Sequence, residues 1–163
     1  VLLASASCTN KVQYNKEIYT LKIIYPDVIM IDYNDKKIKV ENEDLKYVDS
    51  LRLTSAQQAV IENSFRTNGI GSLKGKFLYS PKNAPQPPTY IFVRVFKNNQ
   101  LQSEIQYDFY ERKGTWPFSK KYRDLSFKED LVNILENNAE IKKASDVYGD
   151  YNDRLWRYHM KRR

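Results

Sequence analysis

The chain has 163 residues, a length that suits one domain with one sizeable core. Its formal net charge of +7 gathers at one end: the last ten residues, 154–163, hold five positive charges and no negative one, so the body is nearly neutral and lacks the basic face of a nucleic-acid-binding domain. No run of about 18 apolar residues exists to form a complete transmembrane helix, and a single Cys, Cys8, rules out an intramolecular disulfide.

The opening Val1-Leu2-Leu3-Ala4-Ser5-Ala6-Ser7-Cys8 runs from apolar into small residues, as the end of a signal peptide does. Ala4-Ser5-Ala6 has the small-x-small form of a cleavage site. Ala6-Ser7-Cys8 resembles a bacterial lipobox, with Ser5 where a Leu is usual. The expectation is an exported chain lipidated at Cys8, with residues 1–15 as signal remnant and linker.

Residues 16–145 read as a single domain. Ile18–Tyr25, Val28–Tyr33 and Lys36–Val40 are strand-like runs separated by Pro26-Asp27 and Asn34-Asp35, and a shorter run lies near Tyr47–Leu53. The acidic group Glu41, Glu43, Asp44 reads as a solvated turn. Residues 54–68 read as a helix, with Thr54 as N-cap and Gln57 closing a capping box. Gly69 stands where a left-handed residue ends the helix. This explains the lone Gly69-Ile70-Gly71 better than a phosphate loop, whose glycines would open a helix.

Residues 80–89 contain four of the six prolines and read as a stiff connecting loop able to bind. Residues 89–110 read as a hairpin about Asn98-Asn99. A simple two-residue turn pairs Phe96 with Leu101, Arg94 with Ser103, Phe92 with Ile105 and Tyr90 with Tyr107, and sends that face to the core. Arg94 on an apolar face must find a carboxylate, reach the edge or line a cleft. Residues 111–125 read as a loop carrying Trp116-Pro117-Phe118 among Arg112, Lys113, Lys120, Lys121 and Arg123. Ser126 with Glu129 then reads as a capping box opening a second helix over 126–142. Residues 146–163 read as a basic aromatic tail in which Trp156 and Arg157 stand out.

Catalytic chemistry finds little material. The sole His, His159, and the sole Cys, Cys8, lie near opposite ends, and zinc favours clusters of both types. Glu104 and Asp108 could serve a carboxylate hydrolase only by converging with partners from elsewhere. No cofactor, metal site or catalytic residue is expected.

The Cys8 segment, the strand-rich first third, the stretch Leu53–Ile61 leading through Phe65 to Gly69, the hairpin and the final helix together resemble small bacterial envelope lipoproteins. That resemblance implies a cell-envelope location and no activity. The sequence thus predicts an α+β domain, a mainly antiparallel sheet with helices at 54–68 and 126–142 on one face. The expected function is non-catalytic binding of an envelope or secreted protein, of immunity or inhibitor type, with membrane contact only through a lipid on Cys8 and no nucleic acid. Arg94, Trp116, Phe118, Trp156 and Arg157 are the candidate binding residues. The alternatives are a small-molecule or glycan module using a Tyr-rich sheet face, and the carboxylate hydrolase.

Overall fold

The computed structural model describes residues 19–160, without 27, 43, 82–87 and the side chain of His159. Cys8 and the signal-like segment, the middle of the proline loop, the His159 imidazole and Lys161–Arg163 lie outside the described residues.

Seven strands form one sheet: β1 (Tyr19–Tyr25), β2 (Ile29–Asp32), β3 (Lys37–Glu41), β4 (Lys46–Ser50), β5 (Gly75–Tyr79), β6 (Tyr90–Lys97) and β7 (Gln100–Asp108). Their order is β4-β3-β2-β1-β6-β7-β5, and every neighbouring pair is antiparallel except β5 with β7. Alternation drives the layout. In Lys37-Ile38-Lys39-Val40-Glu41 the two branched residues are buried and the three charged ones exposed. Leu21, Ile23 and Tyr25 of β1, Ile29 and Ile31 of β2, and Ile91, Val93 and Val95 of β6 extend that apolar face. Three helices, α1 (Ser55–Thr67), α2 (Lys120–Glu136) and α3 (Ala139–Met160), cover it. The class is α+β as expected, with three helices in place of two.

Helix α1 joins β4 at one edge to β5 at the other. The strands between them span about 29 Å at the usual 4.8 Å spacing, so α1 must travel across the strands. Its Phe65 meets Tyr19 of β1 edge-on at 5.4 Å and Phe127 of α2 at 6.0 Å. The capping box is present: Gln57 N–H donates to Thr54 Oγ1 at 3.2 Å, and Thr54 N–H donates to Gln57 Oε1 at 2.9 Å. Gly69 ends the helix at φ 69°, its N–H on the Arg66 carbonyl. A 3-10 turn, Ile70–Ser72, leads into β5, a strand too short for the sequence pattern to announce.

The hairpin register differs from the simple one. Asn98 and Asn99 both take positive φ, 50° and 65°, as a two-residue turn demands. Phe96 pairs with Leu101 as expected, but a bulge follows: Gln102 is extra, and Val95 pairs with Ser103. Every later pair shifts by one. Ile91, Val93 and Val95 therefore face the helices together with Ser103, Ile105 and Tyr107, while Tyr90, Phe92, Arg94 and Phe96 take the open face. The expected inward placement of Arg94 is corrected by this one inserted residue.

The second helix also starts elsewhere. Ser119, not Ser126, is its cap, accepting the Tyr122 N–H at 3.0 Å. Ser126 and Glu129 have capping-box spacing, but an N-cap must be extended, and Lys120–Leu125 are already helical. The Ser126 hydroxyl instead donates to the Tyr122 carbonyl at 2.9 Å. The expected helix 126–142 is two helices, because the chain breaks at Asn137-Asn138. Asn138 Oδ1 caps α3 through the Ile141 N–H at 3.0 Å, and its Nδ2 donates to the Arg52 carbonyl at 2.8 Å. Helix α3 then runs down β3 and β4 and continues to Met160 through the residues read as a tail.

Two expectations follow. Thr54→Ala should lower stability by about 1 kcal/mol as a lost cap, and Phe65→Ala by about 3 kcal/mol, both read from denaturant melts. Burial raises the phenol of Tyr25 to about 12 and lifts those of Tyr33, Tyr79 and Tyr107 further. The unfolded chain releases these protons near the ordinary value of 10.0, so stability should be intact below pH 10 and fall as pH rises above it. Phenolate absorbance should show these groups titrating together with alkaline unfolding.

Candidate functional site

After Asp108 the chain leaves the sheet and passes along α2 as an irregular segment, Phe109–Pro117, before Ser119 caps the helix. Lys128 holds this segment down. It is fully buried on α2, and its Nζ donates to the carbonyls of Phe109 and Glu111 at 2.7 Å each. Desolvation pulls its ammonium below the usual lysine range, aided by Arg112, while Glu129, Asp108 and Glu111 pull the other way. Glu111 is itself buried. Its Oε1 meets Lys121 Nζ at 2.7 Å, and its Oε2 has no partner. Glu129 accepts both the Lys113 N–H and its Nζ at 3.1 Å. Burial opposes ionisation there, yet Lys113 prevails and leaves the carboxyl acidic.

This clamp presents two large rings to solvent. Trp116 is 70% exposed and Phe118 81%, and they meet edge-to-face at 6.3 Å and 77°. The Trp116 carbonyl accepts both the N–H and the hydroxyl of Ser119. Tyr110, half exposed, stands on the same segment. Single exposed apolar residues are ordinary, but a contacting aromatic pair on a pinned loop is a ready anchor.

A second polar cluster fixes the start of α2. The Asp124 carboxylate is buried. It accepts the Tyr79 hydroxyl, and Lys120 Nζ lies 2.5 Å from Oδ2 and 2.9 Å from the Tyr79 oxygen. Lys120 Nζ also sits 4.0 Å from the Phe77 ring centre. Tyr107 stacks on Tyr79 at 5.6 Å with its hydroxyl buried and unpartnered. Burial, then Asp124 and Tyr79, hold the Tyr107 phenol far above its ordinary value, and Tyr79 is lifted by burial and Asp124. Neither phenol ionises near neutral pH, so the cluster acts as an anchor between β5, β7 and α2.

Arg94 lies on the open face, in a cross-strand row of charged residues that runs Lys37, Asp32, Lys22, Arg94, Glu104, Lys76, with Asp32 and Glu104 each set between two cations and Lys22 beside Arg94 at the centre. Its Nε is 2.7 Å from Glu104 Oε2, and that hydrogen bond lowers the Glu104 carboxyl. The adjacent row, Val48, Lys39, Met30, Ile24, Phe92, Gln106, Leu78, is mostly apolar. Glu104 is occupied by Arg94 and Lys76, whereas Asp108 is buried and accepts from Ser80 and the Tyr110 N–H, so the two do not converge. Tyr25, Tyr47, Tyr79 and Tyr107 face the helices, leaving Tyr90, Phe92 and Phe96 as the aromatic side chains of the open face.

Trp156 and Arg157 are exposed on the last turns of α3, with Trp156 65% exposed instead of packed on the domain. Beside them Tyr151, Arg154, Leu155 and Tyr158 line an open groove of about 300 Å³ against Asp44 and Leu45. The structure thus brings Trp116 and Phe118 together. It sets Trp156 and Arg157 toward the same end of the sheet but at the opposite edge, and keeps Arg94 apart. Among the described residues no group of three His, Cys, Asp or Glu could hold a metal ion, and no helix is long and apolar enough to cross a membrane.

Sequence reading missed Lys128 and Asp124. Their signal was spacing: residues 124, 128, 131 and 135 form one helical stripe, and two of its four positions are charged. A charge on a buried stripe has to carry its own partners. Lys128→Met should cost about 1–3 kcal/mol by orphaning two carbonyls. Amide exchange should rise over residues 109–113, ahead of the helices.

Compared with known proteins, the chain matches no family model, no curated relative and no solved structure, so its functional reading rests on its own geometry.

Proposed function

We propose that this chain is a non-catalytic binding domain of an exported, envelope-associated protein, and that it docks a partner protein on the segment around Trp116. One observation carries the reading: two adjacent rings, 70% and 81% exposed, are held out on a segment whose backbone is tied down by a buried lysine. Holding an aromatic pair in place before contact reduces the ordering cost of association, and Trp is among the residues that dominate interface energetics. The basic side chains nearby are largely committed: Lys113 to Glu129, Lys120 to Asp124 and Lys121 to Glu111. That leaves Arg112 and Arg123 to set charge preference at the rim and favours a partner with an apolar pocket and an acidic border. Export and attachment through Cys8 are part of the proposal and rest on the sequence of residues 1–8.

The immobilised full chain, offered envelope extract, should retain a protein that the Trp116→Ala/Phe118→Ala variant retains about tenfold less or worse, as loss of a central anchor implies. The variant should keep the wild-type circular dichroism, because both rings stand in solvent. Equal capture by the two forms would remove this segment as the docking surface.

A further inference from the structure

The outward side of α3 carries a charge pattern that complements itself. Asp146, Asp150, Asp153 and Arg157 follow one another at steps of four, three and four, so they form one stripe, and Arg154 adjoins it. All five are exposed. The stripe is acidic over its first half and basic over its second. Among the described residues no ion pair engages any of the five. Asp150 and Arg154, and Asp153 and Arg157, are one turn apart without closing to 4.0 Å. The Arg154 Nε donates instead to the backbone carbonyl of Asp150 at 3.2 Å. Tyr158 and Met160 border the stripe on either side, 49% and 51% exposed.

We propose that this face of α3 docks a second copy of the chain, helix against helix and antiparallel. In such a pair, residues whose numbers share one sum come level with each other. Asp150 then faces Arg157 of the other copy, and Asp153 faces its Arg154. Each contact occurs twice, as an isologous two-fold interface requires. An acidic partner would match only the second half of the stripe and a basic partner only the first, whereas a reversed copy of the same helix matches both. The body of the domain packs on the opposite side of α3, through Ile141 and Ala144, and meets this face only at its margin, where Arg154 and Tyr158 border the open groove beside Asp44 and Leu45. Exposed ion pairs are individually weak, so the assembly is a salt-sensitive dimer whose Tyr158 and Met160 supply apolar contact.

Sedimentation equilibrium of the full chain tests this. The wild type should dimerise at about 20 mM salt, with affinity at least about tenfold lower at about 500 mM, where screening shortens to a few ångströms. Asp146→Lys/Asp150→Lys/Asp153→Lys makes the stripe wholly basic, and Arg154→Glu/Arg157→Glu makes it wholly acidic. Each variant alone should be monomeric with unchanged circular dichroism, and their equimolar mixture should form a heterodimer tighter than the wild type. The proposal is overturned by a wild type that stays monomeric to about 0.5 mM at low salt, by a mixture that stays monomeric, or by reversed variants that self-associate as the wild type does.

Discussion

Gln102 is the residue that lets the central hairpin turn two apolar stripes the same way. Without an extra residue, Tyr90, Phe92, Arg94 and Phe96 would share a face with Ile105 and Tyr107, and a guanidinium would enter the core. The bulge breaks the pairing between Val95 and Phe96, and Ile91, Val93 and Val95 turn inward. The displaced residue is put to use as well. Its Nε2 donates to the carbonyls of Gly71 at 2.5 Å and Leu73 at 3.0 Å, groups that the 3-10 turn leaves without strand partners. One insertion thus sets the core face of the two longest strands and fastens the approach to β5.

The polar interior has a comparable economy. Lys128 and Asp124 occupy a stripe otherwise filled by Leu131 and Leu135, and each is buried with partners of its own: Lys128's from the segment before α2, Asp124's from β5 and from the preceding turn of α2. Lys128 finds carbonyls that no sheet or helix satisfies, and Asp124 finds a phenol and an ammonium. Burying such groups carries a desolvation cost that apolar residues would avoid. What they add is position: α2 cannot slide along its axis without breaking both clusters, and the irregular segment before it is held at a defined height. The segment that carries Trp116 and Phe118 is thus tied to α2 ahead of the two rings, at Phe109, Glu111 and Lys113.

Local signals were legible in the sequence, and longer-range ones were not. Thr54, Gln57 and Gly69 mark both ends of α1 because caps are decided by residues within a turn of each other. The Asn98-Asn99 turn is equally local, since it requires two residues that tolerate positive φ. The register beyond it was hidden, because a bulge is chosen by what lies across the sheet. Strand β5 was hidden for the same reason: five residues gain strand character only by lying beside β7. Ser126 misled because its spacing to Glu129 is that of a cap, while the segment before it was already committed to helix. Trp116 and Phe118 could be named from sequence, but the ties on the segment before them could not, because two of them come from Lys128, which composition alone reads as a surface lysine.

Strand β5 has one more consequence. It is made before β6 and β7, yet its ladder partner is β7, and the connection to β6 must pass over the end of β7 to reach the far side. The edge can therefore be sewn on only once β7 has been made, however early its own residues leave the ribosome.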